Sequence, residues 1–187
     1  MLETIRSIFS LLLSYSLLLL ANGLFNTLIS VRTKLENFPT EIIGVISACH
    51  FVGLLFGANW AIKIVWRVGH IRAFAAFASL MSITALAPVL WVNPYTWMVL
   101  RMATGFCMAG MIMVTESWLN ARSVRENRGQ IMALYMISNY LAAGSGQLLL
   151  NLADPGTFYL FSIASIIFSL ALVPMLLTQA SAPVFNT

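Results

Sequence analysis

Charge is scarce in this chain. Its 187 residues hold 10 Lys and Arg and 6 Asp and Glu, 9% together, where a soluble domain carries about a quarter. So few charges cannot cover the surface of a soluble globule. A disordered chain is excluded too, because it needs low hydrophobicity and many charges. Cysteine is nearly absent: Cys49 and Cys107 both sit in apolar stretches and read as small core residues rather than a disulfide. The two histidines, His50 and His70, stand in no Cys-His cluster and no His-Glu-x-x-His motif. No metal site, catalytic residue or cofactor is therefore expected. The net charge of +4 fits the Lys and Arg excess of cytoplasmic membrane-protein loops, and no nucleic-acid partner is expected.

What fills the space is apolar. Hydrophobic residues make up 60% of the chain, and the mean hydropathy is +0.89. A membrane-spanning helix takes about 20 residues, so about six fit. The few charges mark the gaps between them. Uncharged runs cover Ser7 to Val31, Ile42 to Ile62, Ala73 to Leu100 and Gly129 to Ala153, and no charged side chain follows Asp154. Helices are expected over about 8–31, 41–64, 72–92, 95–118, 129–152 and 157–178. Residues 1–178 then form one six-helix bundle in the lipid bilayer, and 179–187 a tail or the start of a linker. Asn93-Pro94 and Asp154-Pro155-Gly156 are turn signals. Trp91, Tyr95 and Trp97 cluster at one boundary, with Trp60, Trp66 and Trp118 toward the other.

Loop charge predicts the orientation. One side collects Arg6, Lys63, Arg67, Arg72, Arg122, Arg125 and Arg128; the other holds Arg32 and Lys34. Both termini are thus expected in the cytoplasm. The first apolar segment runs on through Val31 and follows Glu3, so it reads as a span rather than a cleaved leader.

Strongly polar side chains inside a span face protein or a water-filled cavity. The first helix has Asn22 and Asn26 one turn apart, with Tyr15 on the same face. The second has His50 and Asn59, the fourth Arg101, and the fifth Asn139, Tyr140 and Gln147. The third and sixth hold only hydroxyls such as Ser79, Ser82, Ser162, Ser165 and Ser169, which can bond back to their own helix. The order polar, polar, bland therefore repeats after three helices. A faint echo, Ile46-Ser47 with Gly53 against Ile137-Ser138 with Gly144, has an offset of 91. The fold class expected is an all-α membrane protein of six spans in two inverted three-helix repeats. Gly53, Gly57, Gly105, Gly110, Gly144 and Gly146 read as close helix contacts.

Between the second and third helices stands Lys63-Ile-Val-Trp66-Arg67-Val-Gly69-His70-Ile-Arg72. It resembles the loop signature of the major facilitator superfamily through Arg67, Gly69 and Arg72, with Trp66 where that family has Asp and Ile62 where it has Gly. The fourth helix, Leu100-Arg101-Met-Ala-Thr-Gly105-Phe-Cys-Met-Ala109-Gly110, is similar to the family's fourth-helix signature. Glu116-Ser-Trp118-Leu-Asn120 and Glu126-Asn-Arg128-Gly129 resemble its bacterial YcaD-like branch. The resemblance implies the N-terminal half of a twelve-helix transporter in the bacterial inner membrane, moving a small solute by alternating access. A second six-helix bundle, a homodimer partner or a separate C-terminal half, would complete the cavity. Its candidate lining is Asn22, Asn26, His50, Arg101, Asn139, Tyr140 and Gln147, with Arg101 suited to an anionic group or a coupling site. Arg67, Gly69, Arg72, Glu116, Arg128 and Gly129 are candidates for the cytoplasmic gate, Glu116 through an ion pair with the Arg67/Arg72 loop.

Other readings are a six-helix interaction module that transports nothing, and an intramembrane enzyme. Ser145 in Ala-Gly-Ser-Gly suggests a rhomboid-type nucleophile, but both histidines precede it and the sixth helix has none. A Ser without its base is a poor nucleophile. A lone Asn-Pro dipeptide and a single intramembrane Arg match neither an aquaporin-type channel nor a voltage sensor.

Overall fold

The computed structural model describes residues 2–123 and 127–177, with side chains from residue 8 onward. Arg125, Glu126, the tail 179–187 and the side chains of Glu3 and Arg6 therefore lie outside the described residues. Within them the chain is all helix, without strands. In order it forms α1 (Leu2–Leu35), α2 (Thr40–Val68), α3 (His70–Leu90), α4 (Pro94–Arg122), α5 (Arg128–Leu148), α6 (Tyr159–Leu170) and α7 (Leu172–Leu176). A 3-10 turn, Leu149–Leu152, extends α5. α7 is the end of the expected sixth helix, offset at Ala171, whose N–H still reaches the Ile167 carbonyl at 2.9 Å. Pro174 supplies no N–H there, which loosens the helix at this point.

Local chemistry sets the boundaries. The Asn93 side chain accepts the Tyr95 N–H at 2.9 Å with Pro94 in the first helical position, the arrangement that starts α4. Gly69 turns α2 into α3 with φ +86, a backbone conformation that costs a side chain little only when it is glycine. Five helical segments are long and apolar enough to cross a membrane: Ile8–Leu35, Thr40–Val68, His70–Leu90, Pro94–Arg122 and Tyr159–Leu176. α5 is not among them. Asn139, Ser145, Gln147 and three glycines dilute its apolar content, and that is the physical difference from the six spans expected.

α1 is buried along much of its length, with Leu11, Leu18, Leu24, Phe25 and Leu28 fully enclosed. It packs against α5 and α6 and more lightly against α4, while α2 lies along α4 and α3 bridges α4 and α6. α2 buries a narrow seam of Ile46, His50, Gly53, Gly57, Ala61 and Val65, spaced by three or four residues. Phe51, Leu55, Phe56, Trp60 and Trp66 on its other faces stay exposed.

Small residues set the tightest contacts. A Cβ on Gly53 would strike the Met102 carbonyl, and one on Gly105 the His50 carbonyl. A Cβ on Gly57 would meet the Phe106 carbonyl at 2.6 Å. Between α1 and α5, Gly146 faces the Leu20 carbonyl and Gly23 the Ala143 carbonyl in the same way. These two seams share a register. Leu20 and Gly23 of α1 match Met102 and Gly105 of α4 at a constant offset of 82, while His50 and Gly53 of α2 match Ala143 and Gly146 of α5 at 93. The offset of 91, pairing Gly53 with Gly144, is thus replaced by one that pairs it with Gly146. Gly144 has nothing within 4 Å of where its Cβ would be, so it makes no close contact. Gly110 lies against the Phe77 ring instead of backbone.

The hydroxyls of α3 and α6 also differ from expectation. Ser82 bonds across to Ser165, Oγ to Oγ at 2.7 Å, and meets the Ser169 hydroxyl at 3.0 Å. Thr84 of α3 and Ser162 of α6 do bond back, to the carbonyls of Met81 and Phe158.

Candidate functional site

The face of α1 that carries Tyr15, Asn22 and Asn26 organises two polar clusters. At one end, Arg101 of α4 donates from Nη1 to the Asn26 Oδ1 at 2.7 Å. Arg101 is only 7% exposed, and its Nε is buried with no partner among the described residues. Thr104, one turn on, gives its hydroxyl hydrogen to the Arg101 carbonyl at 2.8 Å. His50 Nδ1 lies 3.3 Å from that same hydroxyl oxygen. Because the Thr104 hydrogen is already committed, His50 is the donor in this contact, which sets Nδ1 as the protonated nitrogen. Asn22 lies between the clusters, its Oδ1 buried with no partner among the described residues.

At the other end, the Tyr135 hydroxyl of α5 donates to the Glu116 carboxylate at 3.1 Å. The Tyr15 and Tyr135 rings stack with centroids 5.4 Å apart, and their hydroxyls lie 3.4 Å apart. α1, α4 and α5 are thereby joined at one level. The spacing from Glu116 to Arg101, 15 residues of α4, corresponds to roughly 22 Å along the helix.

The structure brings Asn26, Arg101 and His50 together through Thr104, and leaves the other cavity candidates apart. Tyr140 is 73% exposed, Gln147 is exposed and Asn139 is half-buried on α5. Asn59 is exposed and bonds its own helix at Leu55. The gate candidates are not assembled as expected. Glu116 takes Tyr135 as its partner and not the Arg67/Arg72 loop, where both arginines are exposed. Between described residues the ion pair found is Arg32 with Glu36, at 2.6 Å. Arg128 donates to the Asn120 side chain at 2.9 Å across the α4–α5 connection, and Gly129 has open space beside it.

Three residues escaped the sequence reading. Thr104 and Tyr135 became visible only as neighbours across helices. His70 ties the start of α3 to α4, with Nε2 2.9 Å from the Ser117 hydroxyl and the Trp118 ring edge-on at 6.0 Å. Its place beside Gly69, where α3 begins, was the available signal.

Two cavities flank these clusters. One of about 570 Å³ lies between α2 and α4, lined by apolar side chains such as Phe51, Leu55 and Met113 with Glu116 at its margin. A second of about 330 Å³ lies between α1 and α5 and carries the hydroxyls of Ser16, Ser138 and Ser145. Among the described residues no group of three or more His, Cys, Asp or Glu side chains could hold a metal.

Helices of this apolarity joined by short turns, with a buried guanidinium in α4, define a polytopic membrane protein. The sequence family model described as Major Facilitator Superfamily matches residues 11–185, and the chain belongs to that family. Its members are transporters rather than enzymes, and the chain is a multi-pass membrane protein, of the inner membrane in bacteria. It is similar to an uncharacterised MFS-type transporter of Enterobacter sp. (strain 638), 28% identical over 93% of this chain and 46% of the relative. A Yersinia pestis (strain Pestoides F) relative of the same description is 27% identical, over 94% of this chain and 46% of its own length. The uncharacterised MFS-type transporter YcaD of Salmonella enteritidis PT4 is 26% identical over 93% and 46%. The chain therefore spans about half the length of the curated relatives it matches. No solved structure matches it.

Proposed function

We propose that the chain is the N-terminal six-helix half of a secondary transporter that moves a small solute by alternating access against a second bundle. The observation that carries this reading is the coverage: nearly all of this chain aligns with about half of each relative. The repeated seam supports two inverted three-helix repeats, α1–α3 and α4–α6, because exchanging the two triplets maps the α1–α5 contact onto the α4–α2 contact. Loop charge supports cytoplasmic termini. In this reading Asn22, Asn26, His50, Arg101, Asn139, Tyr140 and Gln147 face the shared cavity. Arg67, Gly69, Arg72, Glu116, Arg128 and Gly129 sit at the cytoplasmic end, with Glu116 gating through Tyr135.

The half-length also favours one second reading, a membrane interaction module that carries no solute. The test is to produce the chain alone and with a second six-helix bundle, either another copy or one encoded beside it, in sealed vesicles. Uptake from a panel of sugars, amino acids, carboxylates and organic cations by the paired bundles is the expected result. A stable pair that takes up nothing, and in which cysteines on opposite faces never exchange accessibility, would leave only the interaction module.

A further inference from the structure

The cavity of about 570 Å³ between α2 and α4 is one-sided in its chemistry. Phe51, Leu54 and Leu55 form its α2 wall, and Ala109, Ile112 and Met113 its α4 wall. Ala58 extends the α2 side. None of these side chains carries a charge or an N–H or O–H donor. Among the described lining residues the one ionisable group is Glu116. The cavity of about 330 Å³ between α1 and α5 is different: its lining has three hydroxyls and no charged side chain among the described residues.

Glu116 is only partly engaged. The Tyr135 hydroxyl donates to Oε1 at 3.1 Å, and no hydrogen bond between described residues engages Oε2. Glu116 forms no ion pair among the described residues. Arg101 lies on the same helix but 15 residues away, roughly 22 Å by helical rise. A carboxylate beside hydrocarbon walls, with no cation set against it, selects its ligand by charge. An anionic solute would meet like charge here and no donor. A sugar would leave most of its hydroxyls against apolar walls without partners. A small metal cation needs several oxygen ligands, and this lining supplies one carboxylate. A bulky organic cation meets none of these objections. Its apolar body covers the walls, and its charge is balanced by Glu116 and by the face of an aromatic ring such as Phe51. The volume falls within the roughly 300–1,000 Å³ of pockets for drug-sized molecules. Met113, unbranched and polarisable, can adapt to more than one shape.

We propose that the α2–α4 cavity binds a bulky monovalent organic cation, with Glu116 opposite its charge and Phe51 and Met113 against its apolar body. The role of this site in uptake rests on the transporter reading, to which it adds the class of substrate. A cationic side chain of a second bundle carries the same charge, so the experiment separates the two sources.

The full chain in phosphatidylcholine nanodiscs is dialysed against radiolabelled tetraphenylphosphonium, with empty nanodiscs of the same lipid subtracted. Saturable binding is expected. Tetraphenylborate, of similar shape and opposite charge, should not compete. Glu116→Gln keeps an acceptor for Tyr135 and removes the charge, and should weaken binding by about tenfold or more. Glu116→Asp should retain most of it. Ala58→Phe fills the cavity from an exposed position of α2 and should abolish binding. It is the readout if Glu116→Gln fails to fold by circular dichroism. No saturable binding, equal competition by tetraphenylborate, or a folded Glu116→Gln or Ala58→Phe chain that binds as wild type does overturns the proposal. So does binding that disappears once a second bundle is paired, if Glu116→Gln also weakens that pairing: the cation is then a side chain. Tetraphenylphosphonium binding without uptake of any cation by the paired bundles retains the site and removes the transporter reading. Uptake of a solute with no Glu116-dependent binding does the reverse.

Discussion

Buried polar atoms do unequal work in this bundle. Arg101 is held by one strong bond and stays incompletely satisfied, whereas Tyr135 is fully engaged between Tyr15 and Glu116. The two clusters therefore answer differently to truncation. Tyr135→Phe removes the hydroxyl that bonds the Glu116 carboxylate while keeping the stacked ring. A loss of about 0.5–1.5 kcal/mol is expected, since Glu116 is exposed and water replaces part of the bond. Thermal unfolding in detergent measures it. Stability unchanged within error would mean that the α4–α5 link is not made in solution. The polar residues themselves were readable in the sequence, because apolar spans make each one conspicuous. Their partners were not. Periodicity shows that Asn22 and Asn26 share a face, but only the crossing of α1 and α4 shows that Asn26, and not Asn22, meets Arg101.

At the level of elements, the glycine seams are the strongest constraint. Gly53, Gly105 and Gly146 each abut a carbonyl of the neighbouring helix, and backbone cannot step aside as a flexible side chain can. Gly146→Val is expected to cost about 1–3 kcal/mol through overpacking of α1 against α5. Gly144→Ala, two residues away with open space beside it, should be neutral or slightly stabilising through helix propensity. Equal effects from the two substitutions, measured by resistance to denaturation in mixed micelles, would contradict this assignment. Sequence alone ranked the two glycines together, because a small residue inside a helix looks the same whichever face it occupies. The helix boundaries were easier to read. Asn93-Pro94 and Asp154-Pro155-Gly156 are local signals: the first starts α4, with Asn93 as its cap, and the second lies between helices. The offset at Ala171 and the mixed character of α5 were harder, since each depends on how a weakly apolar helix is sheltered by its neighbours.

For the whole molecule, the testable property is orientation. Impermeant maleimide added to intact cells is expected to label a cysteine at Lys34 and to leave one at Arg67 unlabelled until the membrane is opened, with Cys49 and Cys107 replaced by Ala. The reverse pattern would invert the topology and with it the assignment of Glu116 to the cytoplasmic end. Family membership was legible in Arg67, Gly69 and Arg101 at their spacing, because those signatures lie in single continuous segments. The solute was not, because the candidate residues come from four different helices.

The way the seams are shared has a consequence for how the molecule is made. α2 finds its tight neighbour in α4, and α1 finds its own in α5. When the first three helices have left the ribosome, both glycine-bearing seams still wait for chain that has not been synthesised. Early segments must remain separate in lipid, or be sheltered by the insertion machinery, until later ones arrive. The two seams can then close only in turn, α2 on α4 first and α1 on α5 after it, and a stop placed before α5 would leave α1 with no seam to close.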